Sequence, residues 1–108
     1  MPDRAPAIRH VVLFRFRPGV TWDDPRAVAA EQATAGHPEH IEEIIDWESG
    51  RNLSVRPAAY DFALIGTFAD QAAVDRYLGH PDHVRGVRLW DEIATWVIAD
   101  FPGGRTSS

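Results

Sequence analysis

The chain has 108 residues, 44% hydrophobic and 10% aromatic, with 11 basic against 16 acidic side chains and a formal net charge of −5. That length holds one domain with one thinly stabilised core, and the acidic balance, with no arginine-rich stripe, argues against a nucleic-acid partner. The absence of cysteine excludes disulfides, thiolate metal sites and cysteine nucleophiles.

Residues 1–7 are polar, carry two prolines and have no apolar signal region, so a flexible N-terminus on a cytoplasmic protein is expected. No stretch approaches the length of a membrane span, and no membrane partner is expected. Residues 8–17 read as a strand with Ile8, His10, Val12, Phe14 and Phe16 on one face and Val11 and Leu13 on the other. Pro18-Gly19 ends it. Thr21, Asp23 and Asp24 can each cap a helix, and Pro25 suits its first turn. The spacing predicts that helix over about 24–35, with Val28 inward and a stop at Gly36. Residues 43–49 predict a more polar strand with Ile45 and Trp47 on one side, and 59–68 a strand with Tyr60, Phe62, Leu64 and Phe68 facing one way, Ala63 and Ile65 the other. Asp70 is placed to cap a helix carrying Val74, Tyr77 and Leu78. It breaks at Gly79-His80-Pro81 and resumes to about Ile93, with Val84, Val87 and Leu89 or Trp90 inward. A last strand over 95–101 precedes a Pro/Gly/Ser tail, 102–108, expected to be disordered.

The order βαββαβ fits an α+β, ferredoxin-like fold: a four-stranded antiparallel sheet with helices on one face. Gly36-His37-Pro38-Glu39-His40 and Gly79-His80-Pro81-Asp82-His83 hint at an internal repeat. The strands over 8–17, 59–68 and 95–101 are apolar on both faces, yet two helices cover only one. Val11, Leu13, Ala63, Ile65 and Val97 would form an exposed apolar patch on a lone subunit. A homodimer packed sheet to sheet removes it from water.

Several stretches resemble the stress-responsive A/B barrel (Dabb) family: Arg9-His10-Val11-Val12-Leu13-Phe14-Arg15-Phe16, Ser49-Gly50-Arg51-Asn52, Tyr60-Asp61-Phe62-Ala63-Leu64, Ala99-Asp100-Phe101 and, most specifically, Tyr77-Leu78-Gly79-His80-Pro81-Asp82-His83-Val84. The similarity covers about residues 8–101, taken as the domain. It implies a dimeric α+β barrel with a pocket inside each protomer. The pocket would be lined by His10, Val12, Phe14, Leu64, Gly66, Trp96 and Ile98, with Val28 from the first helix. A plant member is a polyketide cyclase that closes its chain by aldol condensation without a metal. Its functional tyrosine and histidine match Tyr77 and His83, and its first-strand histidine matches His10. Nothing in the resemblance extends to His37 or His40.

Imidazole titrates near neutrality, so His83 fits a general base for a proton beside a carbonyl. Tyr77 would then stabilise the enolate oxygen, and His10 would orient His83 or bind a second carbonyl. A structural reading stands beside it: His80-Pro81-Asp82-His83 is a corner, and His10 a satisfied core histidine. His80, Asp82 and His83 lie close in sequence, but Pro81 distorts their geometry and no further ligand is marked, so neither metal nor cofactor is expected. Asp70, Asp75, Asp91 and Glu92 read as caps and solvated faces; Trp96 suits the pocket, Trp22 and Trp47 loop or dimer packing. Three functions remain open. They are a cofactor-independent cyclase or lyase acting on a small apolar carbonyl compound, a non-catalytic dimer that binds a small hydrophobic ligand or lends stability under stress, and a cofactor-independent monooxygenase or isomerase.

Overall fold

Alternation along the first strand decides which side of the sheet becomes the core. The computed structural model of the chain describes residues 6–103. Its elements are β1 (Ile8–Phe16), α1 (Pro25–His40), β2 (Ile44–Arg51), β3 (Phe62–Phe68), α2 (Gln71–Gly79), α3 (Pro81–Asp91) and β4 (Ala94–Pro102). The strands form one antiparallel sheet in the order β2-β3-β1-β4. His10, Val12 and Phe14 face the helices and are buried. The register sets Val12 between Leu64 and Ile98, and Phe14 between Phe62 and Trp96. Asp24 and Asp70 cap α1 and α2, each accepting a backbone N–H, from Arg26 and Ala73 respectively.

Two clusters make the core. Phe14 stacks on Trp90 with ring centroids 4.1 Å apart, beside Phe62, Ile93 and the small residues Ala27 and Ala30. Ile41, Phe68, Val74 and Tyr77 make the other. Buried alanines let α1 lie close to its neighbours. An added Cβ on Gly86 of α3 would meet the His37 ring of α1 at 2.9 Å.

Five sequence expectations change. The first helix runs through Gly36 and Pro38 to His40. Proline lacks the N–H that would bond the Thr34 carbonyl, and the Trp47 indole N–H donates there instead, at 3.1 Å. The helix therefore crosses Pro38 without leaving a buried acceptor bare. The same contact places Trp47 in the core, and Trp22 packs edge-on to Phe16 and Phe62. In β2 a bulge between Ile44 and Asp46 shifts the alternation. Ile44 joins Trp47 against the core, and Ile45 is left 58% exposed. β3 begins at Phe62, not residue 59, because the Asp61 carboxylate accepts the Phe16 N–H at 2.8 Å in place of a ladder carbonyl. The two Gly-His-Pro segments are not a structural repeat, since one lies within α1 and the other separates α2 from α3.

Where the termini were expected to be loose, Ala7 is fully buried and its carbonyl accepts the Gly103 N–H at 2.8 Å. β4 runs on to Pro102, inside the expected tail, and residues 1–5 and 104–108 lie outside the described residues. The helix-free face is apolar, with Leu13, Val97 and Phe101 at 37%, 50% and 46% exposure beside half-buried Val11 and Ile65. Among the described residues no helix is long and apolar enough to cross a membrane.

Candidate functional site

A cavity of about 70 Å³ lies between the sheet and the helices. The sheet contributes His10, Val12, Phe14, Leu64, Trp96 and Ile98, each of which the family resemblance implies for the pocket. Tyr77 from α2 and His83 from α3 complete the expected group. Val28 and Gly66 do not line it. The cavity meets the far end of α1, at Thr34 and His37, because that helix continues past Gly36. The space over Gly66 belongs to Trp47, whose ring would stand 2.7 Å from an added Cβ.

His10 is held across the sheet. The register sets it opposite Asp100 on β4, and its Nδ1 lies 2.6 Å from the Asp100 carboxylate. Its ring meets Tyr77 edge-on at 5.4 Å. Tyr77 is fully buried. Burial and then the negative charge of Asp100 push its phenol above the usual tyrosine range. The hydroxyl therefore stays protonated at neutral pH.

His83 lies 4.3 Å from Tyr77, ring to ring. Its Nδ1 is 3.0 Å from the Leu78 carbonyl oxygen. A carbonyl only accepts, so Nδ1 carries the proton and Nε2 the free lone pair. Burial pushes His83 below the ordinary imidazole value, with the Leu78 bond opposing. At neutral pH it is an uncharged base.

Sequence reasoning missed His37. It is 3% exposed, and its Nδ1 lies 2.7 Å from the Asp82 carboxylate. Its ring stands 6.0 Å from His83 and 6.5 Å from Tyr77. Burial lowers its basicity while Asp82 pulls the other way. The available signal was the buried stripe Ala30, Ala33, Thr34, His37, whose helical spacing runs past the expected stop. The three residues weighed as a metal group have separate partners. His80 caps α3 by accepting the Asp82 N–H at 3.1 Å, Asp82 holds His37, and His83 holds Leu78. Among the described residues no group of three His, Cys, Asp or Glu is placed to bind a metal ion.

Residues 8–102 match the family model of the stress responsive A/B barrel domain. The chain belongs to this family. An uncharacterized Streptomyces coelicolor protein, SCO4036, is 49% identical over 94 residues, 87% of this chain and 97% of that protein. A dimeric ferredoxin-like protein of unknown function from Thermobifida fusca is 25% identical, with 94% of this chain and 95% of that one covered at a TM-score of 0.79. A hydroxynitrile lyase from Passiflora edulis shares the fold at 15% identity, with 96% and 99% covered and a TM-score of 0.78. This A/B barrel domain carries a largely apolar pocket in which a buried tyrosine stands beside three anchored histidines, His10, His37 and His83.

Proposed function

We propose that the chain is a cytoplasmic homodimer whose protomer cavity catalyses proton transfer on a small, largely apolar carbonyl compound without a cofactor. The observation that carries this reading is that the His83 and Tyr77 rings, 4.3 Å apart, line one largely apolar cavity, with His83 Nδ1 held by the Leu78 carbonyl. His83 Nε2 takes a proton from the carbon beside the carbonyl. Tyr77 donates to the oxygen as negative charge develops there, and return of the proton completes the exchange. His10, fixed by Asp100, braces the tyrosine ring. Size argues for a compact substrate. With a cavity of about 70 Å³, a long keto chain is disfavoured.

The apolar helix-free face supports the homodimer, as does the dimeric Thermobifida protein of the same fold. The exposed Leu53 and Val55 between β2 and β3, at 95% and 99%, add further apolar surface. Sedimentation should give a dimer at micromolar concentration and a monomer for Leu13→Glu/Val97→Glu; a monomeric parent would reject the assembly.

The small volume of the cavity also favours a second reading, a non-catalytic dimer that binds a hydrophobic metabolite. One experiment separates them. With 2-butanone in D₂O, exchange of the protons beside the carbonyl is followed by NMR. The parent protein should outpace His83→Ala by about 10²–10⁴-fold, with Tyr77→Phe in between. Equal rates for parent and His83→Ala would leave the binding reading in place.

A further inference from the structure

One carbonyl group uses Tyr77 and His83, and His10 is occupied with Asp100 behind the tyrosine. His37 is left over. It reaches the cavity at a third corner, with its ring 6.0 Å from His83 and 6.5 Å from Tyr77, while those two rings are 4.3 Å apart. Asp82 takes its Nδ1, and among the described residues nothing hydrogen-bonds its Nε2. Gly86 lines the same cavity, and its missing side chain is what admits the Cε1–Nε2 edge of the ring. His37 Nε2 is not among the buried unpartnered atoms of the described residues, so it stays open to a hydrogen-bonding group that enters the cavity.

We infer that His37 is a second substrate-facing imidazole, and that the cavity takes a compact α-hydroxy ketone, its carbonyl at Tyr77 and its hydroxyl at His37, with the carbon–hydrogen bond between them at His83. Asp82 is then a positioning residue that acts through His37. The inference rests on the proposed carbonyl chemistry and adds the second oxygen. The matching reaction is internal to the substrate. His83 Nε2 takes the proton from the hydroxyl-bearing carbon. The electron pair of that bond forms the carbon–carbon double bond, and the carbonyl π pair moves onto the oxygen held by Tyr77. His37 carries the hydroxyl proton to that oxygen, and His83 returns its proton to the former carbonyl carbon. Atoms balance without oxidant or reductant. A histidine that merely clamps α1 to α3 would need only the bond from Nδ1 to Asp82.

The test pairs acetoin with 2-butanone, which lacks the hydroxyl, in NMR titrations of the dimer. Acetoin should bind about tenfold tighter or more, and should shift the His37 Nε2 resonance while 2-butanone does not. His37→Leu should bring the two affinities within about twofold, and Asp82→Asn should narrow the gap in the same direction. Parent protein should also racemise (R)-acetoin faster than His37→Leu. Should the leucine variant fail to fold, the parent's affinity ratio and the Nε2 shift decide the matter alone. Equal affinities, an unmoved Nε2 resonance, or failure of both compounds to bind would overturn the inference. The His83→Ala exchange rate with 2-butanone reports on the carbonyl chemistry separately, so the two can fail independently.

Discussion

Gly36-His37-Pro38-Glu39-His40 and Gly79-His80-Pro81-Asp82-His83 differ only at the fourth position, yet they fold differently. Proline discourages helical backbone in the residue before it. His80 obeys, with φ −68° and ψ 137°, and α2 closes with its N–H on the Tyr77 carbonyl. His37 does not, and α1 continues. The difference lies in what stands nearby. Trp47 supplies the N–H that Pro38 lacks, and Asp82 and Gly86 hold the His37 ring against α3. Around 79–83 the chain supplies its own cap, with His80 accepting the Asp82 N–H and Pro81 at the first helical position. Long-range donors override a local signal in one segment and leave it in force in the other.

Trp47→Phe breaks the comparison most directly. It strips the Thr34 carbonyl of its donor and should cost about 1–3 kcal/mol in urea unfolding. Pro38→Ala restores a backbone N–H and should recover about 1 kcal/mol more in that background than in the parent. Equal effects in both backgrounds would dissolve the proposed compensation. Next comes Gly86→Ala. Inside a helix this exchange ordinarily stabilises by about 1 kcal/mol; here the new Cβ collides with His37, and a net loss of about 1–2 kcal/mol is expected. Recovery in Gly86→Ala/His37→Ala would show that the collision is the cause.

His80→Ala should cost about 1 kcal/mol through the lost cap. His40→Ala, at an exposed position, should stay within about 0.5 kcal/mol; a loss as large as that of His80→Ala would mean that His40 makes a contact the structure does not show. The smallest effect is on pH dependence. Burial holds His37 and His83 below the imidazole value of 6.5, so the unfolded chain binds more protons and stability falls as pH drops below about 6.5. Asp82 is pushed up by burial but pulled down further by His37 and Arg85, so it stays charged through that window. His37→Leu should flatten the slope between about pH 7 and pH 5. An unchanged slope would remove His37 from that account.

Within the site, His10 was legible from the alternation of its strand and Tyr77 from its helical spacing with Val74, whereas His83 was singled out by the resemblance of residues 77–84 to the family's pattern. Ile45 was misread because a bulge is a change of register that neighbouring residue types do not announce. The sheet partners on β4 were harder again. Asp100 looks like a solvated strand residue until pairing with β1 sets it opposite His10.

The residue pattern alone determined the order of elements, the face of β1 and β3 that enters the core, and the apolar character of the face without helices. Each depends on periods of about two or 3.6 residues, which the chain carries locally. Only the tertiary structure decided how far α1 runs, where the cavity meets it, and that Asp82 and Asp100 orient His37 and His10. Those contacts join residues 45 and 90 positions apart, and no local period encodes a partner at such separations.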